Sequence, residues 1–516
     1  MSETPPQVNP WVVTVSVMLA TFMEVLDTTA TTVAIPHIAG NLSATETEGT
    51  WVLTSYLVAN AIILPMTGWL ANFFGRKRLL MTCVAGFTFS SVLCGLAPSL
   101  GWLIFLRVIQ GATGGGMVPV SQAILLETFP PHKHGQAMAA FGAGVVLAPI
   151  LGPTLGGWLT DNYTWRWIFY INLPVGVVAL LMMQRFVFDP PYIRRPSQRV
   201  DFWGISLLAL GFGTLQVILD TGQREDWFAS PWIRTWTLLC VAGLGLLVLR
   251  ELSTRDPVVD LRALADRTFA TGVFLMTGLA FVLYASLMLL PIYLQTLMGY
   301  PALQSGLALS PRGVGALLGL PLSGALVQRV GPRFLTAFGM VVASLTLFAL
   351  AGLNLYAGYW DIFWPQVIQG FAMSFLFVPL GVASVSHIAK EKMGNATSIF
   401  NMMRNIGGSF GIAIMTTLLT RRQQLHQTHL VSHIVGLDPE TQQILAAARQ
   451  WFFAQGADPV TAQQRAYAAV YGMVQRQGAM ISFVEMFWLM AVVFLALVPF
   501  LLLLRRPMQR QPAALH

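Results

Sequence analysis

The sequence predicts an all-α polytopic membrane protein with 14 transmembrane helices, arranged as two six-helix repeat halves plus a two-helix insert. Three observations carry that prediction. Hydrophobic residues make up 55% of the 516-residue chain and charged residues 10%, with a mean hydropathy of +0.64, whereas a soluble domain carries about 25% charged residues. The apolar runs are about 20 residues long and lack alternating polarity, which fits spanning helices and not barrel strands. Finally, blocks of sequence from the first half of the chain recur in the second at a nearly constant offset.

In chain order the spans run roughly over 12–36, 51–73, 79–97, 101–126, 137–160, 165–186, 201–220, 232–250, 268–295, 303–327, 334–353, 360–387, 395–420 and 482–504. An even number of crossings puts both termini on one side. Alternate connections and the tail hold 19 basic residues: Arg76, Lys77, Arg78, Lys133, Arg185, Arg194, Arg195, Arg199, Arg250, Arg255, Arg262, Arg267, Arg329, Arg333, Lys390, Lys392, Arg505, Arg506 and Arg510. The opposite short connections hold 3, Arg166, Arg224 and Arg234. Basic residues accumulate on the cytoplasmic side, so both termini are expected there. The connection 421–481 faces outward yet carries Arg421, Arg422, Arg449, Arg465 and Arg476, because long translocated segments largely escape the charge bias.

The formal net charge of +8 thus resides mainly in orientation signals, and no nucleic-acid partner is expected. The opening "MSETPPQVNP" has no basic leader and no cleavage site, so it reads as a retained cytoplasmic tail. Cys83, Cys94 and Cys240 lie in apolar runs and read as small core residues, with no metal spacing. No GxxxxGK[ST] loop is present, which excludes that route to ATP as an energy source.

The repeat is specific. "GWLANFFGRKR" (68–78) is echoed by "GALVQRVGPR" (324–333), matching Gly68 with Gly324, Leu70 with Leu326 and Gly75 with Gly331. "VIQG" at 108–111 returns at 367–370, and Val118-Pro119 returns as Val378-Pro379; the offsets are 256, 259 and 260. Residues 1–190 and 263–516 therefore form two halves around an insert, 191–262. Internal duplication with a site between the halves is the architecture of secondary transporters.

Glu24 and Asp27 sit three residues apart in the first span, on one helix face. A carboxylate at mid-bilayer costs about 2.5–3.5 kcal/mol on insertion scales, and two close ones cannot both ionise cheaply. At least one is therefore expected to load and unload a proton. The alternative is a structural acid bonded to Thr28, Thr31 or an arginine. Arg107, Arg312 and Arg404 also fall inside spans; the last two, near span ends, could equally snorkel to the interface. In the fifth span, Pro149 and Pro153 stand beside Gly152, Gly156 and Gly157, a pattern that allows a close, kinked helix seam or ordinary small-residue packing. Met138, Phe141, Trp158 and Met402 are candidates for a greasy cavity.

These blocks resemble the major facilitator superfamily. "GWLANFFGRKRLL" is similar to its loop signature between the second and third helices, "LRVIQGATGG" (106–115) to the fourth-helix signature, and "APILGPTLGGWL" (148–159) to the antiporter motif. "LDTTATTVAIP", "WRWIFYINLPVG" and "LQVILDTGQREDWF" narrow the resemblance to the fourteen-helix drug/proton antiporter branch and its EmrB-like multidrug export pumps. The resemblance implies that Asp27, Glu24 and Arg107 couple protons, with Arg107 the cationic partner of Asp27 because the first and fourth helices adjoin in that fold. It further implies that Pro149, Gly152, Pro153, Gly156 and Gly157 form the antiporter seam. Gly68, Asn72, Gly75, Arg76 and Lys77 would form a cytoplasmic gating loop. Glu24, Met138, Phe141 and Arg404 are candidates to line the cargo cavity. Asn72 stands where the family usually has an aspartate; an amide there could still cap the facing helix.

The segment 421–481 shifts to Gln, Ala and scattered charge, with breaks at Asp438-Pro439 and Asp458-Pro459, and is expected to fold as about three helices with a docking surface. His426, His429 and His433 recur at helical spacing but read as a polar face, not a metal site. Glu485 is placed near the outer face. By resemblance, the partners are a periplasmic membrane-fusion adaptor (EmrA-like) and an outer-membrane channel (TolC-like). The expected function is proton-coupled export of lipophilic or amphipathic molecules across the bacterial inner membrane, with no cofactor besides the proton and no enzymatic activity. A dedicated exporter of one metabolite or siderophore, and a non-transporting membrane sensor, are the rival readings.

Overall fold

The computed structural model describes residues 9–189, 201–254, 257–433 and 439–504. The boundary at 190/191, Asp438 and the basic residues Arg194, Arg195, Arg199, Arg255, Arg505, Arg506 and Arg510 lie outside the described residues. Fifteen long helices follow one another: α1 (Pro10–Asn41), α2 (Thr47–Phe74), α3 (Arg76–Gly95), α4 (Leu100–Thr128), α5 (His134–Asn162), α6 (Trp167–Phe186), α7 (Phe202–Thr221), α8 (Pro231–Ser253), α9 (Arg267–Thr296), α10 (Ala302–Val330), α11 (Pro332–Ala351), α12 (Tyr359–Val385), α13 (Met393–His433), α14 (Pro439–Ala454) and α15 (Pro459–Leu497). Among the described residues, 13 helices are long and apolar enough to cross a membrane. The fourteenth predicted span lies in α13, whose polar "MMRNIGGSFG" stretch and hydrophilic extension dilute its apolar character.

Side-chain caps mark several starts. Asn9 accepts the Trp11 amide of α1 at 3.0 Å, Asp201 accepts Gly204 of α7 at 3.0 Å, and Asp266 accepts Phe269 of α9 at 2.8 Å, which satisfies amides that a helix start leaves unpaired.

Packing follows the repeat. In the first half α1 lies on α5, α2 on α4 and α3 on α6; in the second, α9 lies on α13, α10 on α12 and α11 on α15. The halves meet along two related seams, α5 with α10 and the inner part of α2 with α13. In the insert, Gly211 and Gly243 bring α7 and α8 together. α7 rests on α2, where the Thr54 hydroxyl donates to Asp220, and reaches α13 through Ser409 Oγ to Gln216 Oε1 at 3.1 Å.

Two expectations need correction. The last span does not begin at 482: α15 runs unbroken from Pro459, because no proline or turn signal follows until Pro499. The expectation of about three helical stretches across 421–481 holds: the end of α13, the separate helix α14 and the start of α15. Glu485 faces the α13 extension rather than the interface alone, accepting from His426 Nε2 at 2.9 Å with Arg422 at 3.6 Å.

The repeat is visible even in the backbone. Gly75 (φ +89°, ψ 147°) and Gly331 (φ +92°, ψ 149°) hold the same conformation at equivalent turns, in a region open essentially to glycine. Nothing lies within 4 Å of a side chain added at Gly331, so Gly331→Ala isolates the backbone strain. It is expected to lose about 1–3 kcal/mol in thermal unfolding of the purified protein. Gly75→Ala, which also meets the Asp189 carboxylate at 2.7 Å, is expected to lose more.

Candidate functional site

Burying Asp27 creates a demand that three neighbouring side chains meet. Its Oδ2 accepts Arg107 Nη1 at 2.6 Å, and its Oδ1 accepts Gln110 Nε2 at 3.1 Å and Asn172 Nδ2 at 2.8 Å. Arg107 is itself fully buried. It donates through Nε to the Val52 carbonyl at 3.1 Å and through Nη1 to Gln110 Oε1 at 2.9 Å. The Tyr56 ring covers its guanidinium at 4.4 Å, a contact worth about 2 kcal/mol when desolvated. Asn172 is steadied by Ser91 Oγ at 2.9 Å. The predicted Asp27–Arg107 pair is thus formed, tying α1, α4 and α6 together.

Glu24 shares the helix face but not the partners. Its Oε1 accepts Asn60 Nδ2 of α2 at 2.9 Å, and its Oε2 is buried without a hydrogen bond. The charge of Arg404, from α13 in the other half, acts on it. Arg404 is buried with Nε and Nη1 unbonded. Nearby, Asn401 Nδ2 donates to Gln122 Oε1 at 2.5 Å across the same divide. A polar centre therefore lies between the halves, with one acid turned into the first half and one toward the second.

Arg312 and Arg404 do not snorkel: they are 1% and 4% exposed. Both helices continue well beyond these residues, which keeps the guanidinium groups deep in the bundle. Met138 and Phe141 face the α5 seam, where Met138 meets Gly381 and Phe141 stacks on Phe377 with centroids 6.1 Å apart. They line the contact between halves. Met402 lines a cleft with Ala61, Leu64, Phe212 and Gln216. Trp158, by contrast, is exposed beside Tyr163, because α5 turns that face outward.

The α5 seam is specific to two of its three glycines. A side chain at Gly152 would strike Thr29, and one at Gly156 would stand 2.8 Å from the Ala30 Cα. Gly157 meets just Val33, at 3.9 Å. Pro149 and Pro153 are accommodated within a continuous helix, and Pro153 approaches Gly306 of α10.

At the Arg76 end the halves are latched. Arg76, 1% exposed, pairs with Glu127 of α4, and its Nη2 reaches the Lys390 carbonyl at 3.5 Å. Thr67 and Ser398 share a 2.6 Å hydroxyl contact, and a side chain at Gly68 would stand 2.7 Å from the Asn395 Cα. Asp189 accepts the Lys77 amide at 2.8 Å, and Lys77 Nζ donates to the Gln184 carbonyl at 2.7 Å. Asn72 is half-buried and makes no side-chain hydrogen bond among the described residues. Its expected cap on the facing helix does not form, since Arg76 already holds that helix entry and Asn395 is engaged with Asp260.

Gln110, Asn172, Asn60, Tyr56 and Gln122 were missed as site residues. Polar side chains inside apolar runs were the available signal, and Gln110 and Asn172 stand within the quoted "VIQG" and "FYINLPVG" blocks.

Comparison with known proteins gives a consistent picture. The Major Facilitator Superfamily model matches residues 17–412. Multidrug export protein EmrB of Escherichia coli (strain K12) is 38% identical over 492 residues, covering 94% of this chain and 93% of that protein. Fatty acid resistance protein FarB of Neisseria gonorrhoeae is 35% identical over 498 residues, covering 96% of each. Among solved structures, a double-tryptophan mutant of XylE aligns with a TM-score of 0.64 at 13% identity over 97% of both chains, a likeness of fold alone.

Because Asp27 and Arg107 satisfy one another, their losses are expected to be non-additive. In thermal unfolding, Asp27→Asn and Arg107→Gln should show a coupling energy of about 0.5–3 kcal/mol in a double-mutant cycle. Strict additivity would mean that the pair contributes nothing beyond its separate members.

Proposed function

The chain belongs to the major facilitator superfamily, within the branch of the EmrB multidrug export proteins, and on that premise we propose a proton-coupled antiporter. Its cargo is lipophilic or amphipathic small molecules, exported across the bacterial inner membrane by alternating access, with both termini cytoplasmic. The names of the relatives support this cargo class: multidrug export proteins and a fatty acid resistance protein.

The observation that carries the mechanism is the buried Asp27–Arg107 pair at 2.6 Å. A proton arriving on Asp27 neutralises the acceptor of that bond. Arg107 then keeps Val52, Gln110 and the Tyr56 face, all on α2 and α4, while α1 loses its ionic tie to α4. Since α1 seats directly on α5 through Gly152 and Gly156, and α5 forms a seam with α10, displacement of α1 passes to the contact between halves. Glu24 and Arg404, on opposite halves and within electrostatic reach of one another, meet polar parts of the cargo. The Arg76–Glu127 latch and the Thr67–Ser398 contact act as the cytoplasmic gate.

The driving force suffices. One charge crossing about 100 mV releases about 2.3 kcal/mol, and at about 1.36 kcal/mol per decade this sustains roughly a fifty-fold gradient of neutral cargo per electrogenic proton.

The aqueous segment around α14 serves as the docking surface for a periplasmic membrane-fusion adaptor that leads to an outer-membrane channel. Trp451, Phe453, Tyr467 and Met473 are each more than half exposed there.

Two measurements test these readings. In proteoliposomes under an imposed pH gradient, Asp27→Asn is expected to abolish uphill cargo movement while leaving downhill leak; gradient-driven transport at the wild-type rate in Asp27→Asn combined with Glu24→Gln refutes the coupling. Deleting 425–478 is expected to abolish resistance in cells with an intact envelope yet spare transport in proteoliposomes. Full cellular resistance after the deletion refutes docking.

A further inference from the structure

The connection from the insert to the second half is an ordered strap, residues 257–266. Val258 and Val259 are 1% and 2% exposed, and successive amides of the strap hold different helices. The Val259 amide donates to Glu251 Oε2 of α8 at 3.2 Å, and the next amide, that of Asp260, donates to Asn395 Oδ1 of α13 at 3.1 Å. Asn395 returns the bond, its Nδ2 donating to the Asp260 carbonyl at 3.0 Å. Lys392 Nζ stands 3.6 Å from the Asp260 carboxylate, and Arg262 Nη2 donates to the Leu252 and Thr254 carbonyls at the end of α8, at 3.0 Å each. The strap is thus bonded to the insert on one side and to α13 on the other.

Glu251 is an acid that neither the Asp27 site nor the Arg76 latch uses. It is 1% exposed, its Oε2 is committed to the strap and its Oε1 has no hydrogen bond. Burying a carboxylate is costly, and the bond it makes is the one that fixes the strap to α8.

What the strap holds is the gate. Gly68 of α2 faces the Cα of Asn395, and Thr67 meets Ser398 one turn further on. The insert grips α13 a second time about 20 Å along the helix, where Ser409 Oγ donates to Gln216 Oε1 at 3.1 Å and Trp227 Nε1 donates to Thr417 Oγ1 at 2.9 Å. Thr54 and Asp220 fasten the insert to α2. A stiff helix held at two points takes its tilt from the body that holds it, and here that body is the insert.

We propose that Glu251 and Asn395 are positioning residues through which the two-helix insert sets the tilt of α13 and keeps the Arg76 end shut. The proposal rests on the alternating-access reading and gives the insert its part in it.

The test uses full-length protein in nanodiscs with spin labels introduced by His132→Cys and Arg329→Cys. These are exposed residues on opposite halves at the Arg76 end, where Gln328 reaches the Pro131 carbonyl at 3.5 Å; the three native cysteines are buried. Pulsed dipolar spectroscopy reads the ratio of long to short distances. Asn395→Ala and Glu251→Ala are each expected to raise that ratio about three- to tenfold, as loss of a hydrogen bond does. Combining them is expected to give no more than the larger single effect, because both break one connection. Glu251→Gln keeps an acceptor for the Val259 amide and is expected to stay near wild type. Arg76→Ala, which breaks the latch directly, serves as the control. Lengthening in Arg76→Ala with neither alanine variant shifted overturns the proposal and leaves alternating access standing. A lowered Tm with unchanged distances in both alanine variants identifies a purely structural strap and overturns it too, as does an equal shift in Glu251→Gln and Glu251→Ala. Distances that no variant moves, Arg76→Ala included, overturn the gate reading itself and the proposal with it.

Discussion

A carboxylate and a guanidinium removed from water must find each other, and much of the first half follows from that requirement. In a low-dielectric interior an unpaired charge is far costlier than a paired one. Pairing Asp27 with Arg107 at 2.6 Å requires α1 and α4 to stand close, and the remaining lone pairs and protons need further polar neighbours. Gln110, Asn172 and the Val52 carbonyl supply most of them, Ser91 steadies Asn172, and Arg107 Nη2 alone of the guanidinium nitrogens has no hydrogen bond. Gly111 lets α2 approach α4 closely, which is what brings Val52 and Tyr56 to the guanidinium. Gly152 and Gly156 in turn let α5 follow α1. The small residues and the charged ones thus belong to one arrangement.

The two halves share a scaffold and differ in chemistry. Equivalent helix pairs pack alike, and Gly75 and Gly331 turn alike. Yet where the first half has its ion pair, the second has the Arg312 guanidinium bonded to the Gln366 and Gln369 amides. Arg76 with Glu127 has no counterpart pair among the described residues at the equivalent turn, where Pro332 takes the arginine's place. Duplication preserves backbone geometry where packing constrains a glycine at a crossing, as at Gly111 and Gly370. It leaves side-chain chemistry free to diverge wherever a buried group can find another partner.

Helix number and order, the repeat and the insert were legible in the sequence, because they rest on composition, run length and spacing, which are local or periodic. The Asp27–Arg107 pairing came from the family resemblance, in whose fold the first and fourth helices adjoin. The start of α15 was misplaced because a hydropathy reading sees where the apolar stretch begins, whereas the backbone continues its helix through Gln, Ala and Arg with equal ease. The partners of Asp27 beyond Arg107 come from α4 and α6, and no local pattern links them to residue 27. Arg312 and Arg404 were placed near span ends, although long helices carry both into the interior. Asn72 shows the limit of motif transfer: it makes no side-chain hydrogen bond among the described residues, while Arg76 and Gly68 make the approach to the second half.

The unbroken run of α15 from its polar start at Pro459 into the apolar bundle has a mechanical consequence. Backbone hydrogen bonding makes such a segment a stiff lever, and at 1.5 Å per residue about 33 Å of it stands clear of the apolar stretch. A tilt of roughly ten degrees at its base therefore sweeps the far tip by about 6 Å. Packed against α14 alongside, this arm turns a small rotation at its apolar base into a larger displacement at its polar tip.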